Sequence, residues 1–129
     1  MKNYGNQKLV WKDSEPARYD KKTRIVCFGF EPSTKEENGK EVNGFLGFEI
    51  QIDGLIDYGH IKSQLVEAAY AQKDEFGALM NATGELISLA KADKKIADCD
   101  FSEFEEVQEW RTMCANAAKY VMSYYNGEN

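Results

Sequence analysis

The sequence predicts an α+β fold: a small antiparallel sheet, built on a long hairpin over residues 24–52, packed with three or four helices. Three observations carry this. Residues 24–30 are rich in the β-branched and aromatic residues that suit a pleated, half-buried strand, and 45–52 show the period of two of such a strand. Asn38-Gly39 lies between them, and both residue types tolerate the positive φ of a tight hairpin turn. From residue 57 onward the apolar spacing changes to three and four, ending in a long closing helix over 103–125.

Residues 1–23 are polar and without a sustained period. Leu9, Val10 and Trp11 fit a short strand, which Ser14-Glu15-Pro16 ends because proline has no amide donor. This stretch reads as a basic extended arm with one anchoring patch, attached to a single domain over 24–129. In residues 24–30, Val26, Phe28 and Phe30 fall on one face, with Ile25 and Cys27 on the other. In 45–52, Leu46, Phe48, Ile50 and Ile52 face inward, while Glu49 and Gln51 face water. The polar stretch 31–44 is expected as an exposed tip that a protease cuts near Lys35 or Lys40, with Pro32 at an edge or a bulge.

Asp57 is placed to N-cap a helix reaching about Ala71, with Ile61, Leu65, Val66, Ala69 and Tyr70 on its apolar face. A second helical stretch runs from Asp74 to about Ala92, weakened or split by Gly77 and Gly84. Ser102 and Glu105 have the spacing of a capping box. Phe104, Val107, Trp110, Cys114, Ala117, Ala118, Val121 and Tyr125 then follow along one stripe of a helix about 36 Å long, which Asn126-Gly127 ends. Trp110 is expected in the core.

Composition narrows the function. The 129 residues are 43% hydrophobic and 29% charged, which is globular, and a chain of this size needs no disulfide or metal to hold a core. No apolar run is long enough to span a bilayer, and no signal peptide is evident, so no membrane partner is expected. Cys27, Cys99 and Cys114 are an odd number with no CxxC pair, which fits a reducing compartment. With the single His60 they lack the ligand spacing of a zinc site. Asp98-Cys99-Asp100 lacks the glycine and terminal glutamate of a calcium loop. Neither a phosphate-binding glycine loop nor a nucleophile elbow is present. The expectation is a non-enzymatic protein, with no catalytic residue, no metal and no cofactor.

Charge is unevenly spread over a net −6. Residues 1–24 carry seven bases against three acids, whereas 98–109 hold six acids and no base. An acidic body disfavours nucleic acid. Tyr4, Leu9, Val10, Trp11 and Tyr19 on the arm, with Asp98, Asp100, Glu103 and Glu106 near the start of the closing helix, are the candidate interaction residues. Aromatic side chains would anchor the contact and charges would steer it. The arm has few apolar residues to hold it down. Deleting 1–23 is therefore expected to leave a folded core and to weaken assembly.

Phe45 to Ile52, then Glu67-Ala68-Ala69-Tyr70, Glu75 to Ala82, Phe104-x-x-Val107-Gln108-x-Trp110-Arg111 and Ala117-Ala118-Lys119-x-Val121 carry a resemblance over residues 45–122. This pattern resembles small virion and tail-fibre-region structural proteins of tailed phages and prophages of gut Bacteroidetes. The resemblance implies a structural or assembly protein of a phage particle. It would be located in the virion, or in the bacterial host cytoplasm during assembly, and would self-associate or contact neighbouring virion proteins. The alternative is a phage-borne inhibitor binding a host defence protein or a signalling molecule, the acidic 98–109 run mimicking nucleic acid.

Overall fold

The computed structural model describes residues 2–71 and 102–127, and for Ser102 and Glu103 the backbone alone. Within them the chain runs β1 (Val10–Lys12), β2 (Tyr19–Asp20), β3 (Ile25–Glu37), β4 (Lys40–Gln51), α1 (Tyr58–Ala69) and α2 (Ser102–Tyr125). The four strands form one antiparallel sheet in the order β1-β4-β3-β2. The α+β architecture and the long C-terminal helix are therefore as expected. Two helices are present among the described residues, and the stretch expected to be helical from Asp74 to about Ala92 lies outside them.

The central hairpin is longer than the hydrophobic pattern indicates. Asn38 and Gly39 have φ of 54° and 76° and form a two-residue turn flanked by the Glu37–Lys40 pair. The polar residues expected as a connector continue the ladder up to that turn, because strand pairing uses backbone groups that every non-proline residue carries. Gly29, at φ 68°, starts a bulge: Phe28 pairs with Phe48, but Glu31 pairs with Leu46. The extra residue reverses the alternation. Val26 and Phe28 face the helices, whereas Phe30 lies over Gly47 on the other face, against the single-face reading of those three residues. A Cβ on Gly29 would come within 2.9 Å of Met113 Cε in a conformation that disfavours side chains. Gly29→Ala is therefore expected to cost about 1–2 kcal/mol, read from a chemical denaturation midpoint. Pro32 is tolerated because β2 pairs only with Ile25 and Val26, which leaves β3 at the sheet edge from there on.

Asp57 caps α1 as expected, its carboxylate accepting from the His60 amide at 3.1 Å. Ile61, Leu65, Val66 and Ala69 are buried along one stripe of α1. Val107, Trp110, Cys114, Ala117, Ala118 and Val121 form the matching stripe on α2. Gly127, with φ of 76°, ends α2. α2 packs on both α1 and β3, so the core lies between one face of the sheet and the two helices.

Trp110 is the hub. It is fully buried, 4.9 Å edge-on to Phe48 and 5.3 Å from Phe28 between ring centroids, and its indole N–H donates to the Leu65 carbonyl at 3.1 Å. Sheet, α1 and α2 all meet at this one side chain.

The first 23 residues differ most from expectation. They are packed along both edges of the sheet. β1 pairs with β4, β2 pairs with β3, and Tyr4 and Tyr19 are core residues. Tyr4 stacks within 5.5 Å of Trp110. The Asn6 amide donates to the Ala69 carbonyl at 2.8 Å, satisfying the C-terminal end of α1. Counting aliphatic residues misses this anchoring, because the tyrosines supply the buried area.

Candidate interaction surface

Two of the sequence-derived interaction residues, Tyr4 and Glu106, are each bonded within the chain to a residue outside that set. The Tyr4 hydroxyl donates to Glu109 at 2.9 Å, and Lys2 approaches the same carboxylate at 3.1 Å. The Tyr70 hydroxyl donates to Glu106 at 2.5 Å. The start of the basic segment thus lies on the acidic turn of its own α2, a contact the sequence allowed but did not single out. Leu9, Val10 and Trp11 are half-buried on the β4 edge, Trp11 with its ring over Gly44. Tyr19 is buried and shares a 2.7 Å hydrogen bond with Tyr125. Asp98, Asp100 and the Glu103 side chain lie outside the described residues.

Burial and the Glu109 carboxylate push the Tyr4 hydroxyl up to about 12. Burial and then Glu106 push Tyr70 upward as well. The bonds from Tyr4 and Lys2 hold Glu109 below its usual value. The two tyrosines ionise less readily folded than unfolded. Their stabilisation is complete below the ordinary value of 10.0; for Tyr4 it is lost as the pH rises through about 12, and for Tyr70 at still higher pH. We expect Tyr70→Phe to be less stable than wild type near neutral pH, by about 1 kcal/mol. It should then lose less stability than wild type between neutral pH and 11, in denaturation midpoints measured across that range.

What stays outward is arranged at two ends. At one end the β3–β4 ribbon runs past both flanking strands and carries Glu36, Glu37, Lys40 and Glu41, all exposed. At the other end lies the β2–β3 turn with a tyrosine cluster from the end of α2. There the Arg18 guanidinium stands 4.8 Å from the Tyr120 ring centroid and Lys21 Nζ 5.6 Å from that of Tyr125, with Tyr124 half-exposed beside them. The one acid of the turn, Asp20, is directed at the backbone amides of Lys22 and Thr23. Arg18, Lys21 and Lys22 have no carboxylate partner among the described residues. Leu55, 75% exposed, projects from the β4–α1 loop at this same end. Arg24 fixes that loop by donating to the Gly54 carbonyl at 2.7 Å, and Gln64 brackets Asp53 through both its amide atoms.

A cleft of about 200 Å³ opens beside this end, between β3 and α2, lined by Arg18, Cys27, Phe28, Met113, Asn116 and Tyr120. Burial, then the Glu49 carboxylate, pushes the Cys27 thiol up, which keeps it protonated and unreactive. Among the described residues no group of His, Cys, Asp and Glu is placed to hold a metal ion, and no helix is long and apolar enough to cross a membrane.

No family model, curated protein or solved structure matches this chain. Its surface chemistry stands on the residues alone: stacked cations with exposed aromatic and aliphatic side chains at one end, a projecting acidic ribbon at the other.

Proposed function

We propose that this is a non-enzymatic structural or assembly protein that works through protein–protein contacts. The observation that carries this is the β3–β4 ribbon, which extends beyond β1 and β2 with both edges unpaired among the described residues. A two-stranded ribbon gains little stability by itself, so an ordered length of it beyond the body suits a docking element better than a folding one. Aromatic-stacked cations and a fixed, exposed leucine at the opposite end have the composition of an interface anchor. The phage-particle setting, in the tail or fibre, is proposed from the sequence resemblance over residues 45–122 alone.

Gradient sedimentation of a native lysate, followed with an antibody to the chain, tests this. The expected result is a fast-sedimenting assembly. A chain that sediments as a free 14.7 kDa monomer at every growth stage overturns the proposal.

A further inference from the structure

Glu36 and Glu41 are directly opposite each other on the ribbon. Like charges at such a position destabilise a strand pair. The nearby bases do not relieve them: Lys35 lies 3.8 Å from Glu37 and over the Trp11 ring, and Lys40 faces Glu37 across the turn. Neither Glu36 nor Glu41 has a cationic partner among the described residues. The complementary group is at the far end of the same sheet, where Arg18 and Lys21 are held on tyrosine rings without a carboxylate. The 12 residues of β4 span roughly 40 Å, so one chain does not bring its own two ends together.

We infer that the Glu36–Glu41 end of one copy docks on the Arg18–Lys21 face of a second copy, head to tail. The two surfaces differ, so the contact is heterologous and repeats into a closed ring or an open filament. Tyr124 and Leu55 border the basic face and supply apolar area, while the charges set orientation and encounter rate. The self-docking rests on the protein-contact function proposed above and gives that function its partner.

Light scattering on the purified full-length chain at up to about 0.2 mM tests it, together with E36K/E41K and R18E/K21E, each first shown to be folded by circular dichroism. Wild type is expected to exceed monomer mass as concentration rises, and to fall back toward it as salt is raised to about 0.5 M. Each double variant is expected to lose at least about tenfold in self-affinity. An equimolar mixture of the two should regain a complex, because the lysine end of one then meets the glutamate face of the other. A wild type that stays monomeric, an E36K/E41K variant that assembles like wild type, or a mixture that stays monomeric overturns the inference. A purified monomer that still sediments in an assembly in the native lysate overturns self-docking alone and leaves the protein-contact function standing.

Discussion

Replacing Trp110 with alanine should cost about 3–5 kcal/mol of folding stability, the range for truncating a fully buried large aromatic. Trp110 joins every layer of the molecule. It lies edge-on to Phe48 in the sheet, close to Phe28 and Tyr4, and bonds through its indole N–H to the Leu65 carbonyl of α1. Alanine leaves a void that four elements cannot all close. The loss is a large share of the about 5–15 kcal/mol that holds a domain of this size. Urea denaturation followed by circular dichroism gives the number. Trp110→Phe separates the contributions, since it keeps much of the packing and loses only the indole donor, at about 1–2 kcal/mol beyond the volume lost. A Trp110→Ala protein within 1 kcal/mol of wild type, on the order of an exposed substitution, contradicts this core assignment.

Deleting residues 2–23 should abolish cooperative folding, the opposite of what the polar character of that segment suggests. The deletion removes the partner strands of both sheet edges and two buried tyrosines. Each buried aromatic is worth about 1.5–3 kcal/mol in apolar area. The deletion also uncovers the Ala69 carbonyl and takes from Glu109 both of its partners, the Tyr4 hydroxyl and Lys2. Thermal melting with a far-ultraviolet readout checks it. Tyr4→Ala, expected to lose about 3 kcal/mol, keeps the test informative if the truncated chain aggregates. A truncated chain that melts cooperatively within about 5 °C of the intact protein shows the segment to be an appendage after all.

The predicted elements locate well where side-chain period and backbone chemistry agree. Asp57 ahead of a period-3.6 run gives α1, and Asn38-Gly39 between two strand-forming runs gives the hairpin. The stripe from Val107 to Val121 gives the buried face of α2. The candidate contact surface was less legible. Arg18, Lys21, Glu36 and Glu41 appear in sequence as ordinary charges. Two signals were present, the surplus of bases in residues 1–24 and the cluster of acids about Asn38-Gly39, but neither indicates which charges find partners within the chain.

By itself, then, the sequence determined the α+β class, the hairpin turn, the capped α1 and the core stripe of α2 with Trp110 in it. These depend on neighbours within about one turn or one strand, and short-range periodicity records them. Tertiary structure alone decided the bulge at Gly29 that turns Phe30 to the other face, the docking of residues 2–23, and the pairing of Tyr4 with Glu109 and Tyr70 with Glu106. The longest of those contacts join residues more than about 100 positions apart. Whether a tyrosine becomes core or surface there depends on the space left between packed elements, a property of the assembled layers that no local pattern encodes.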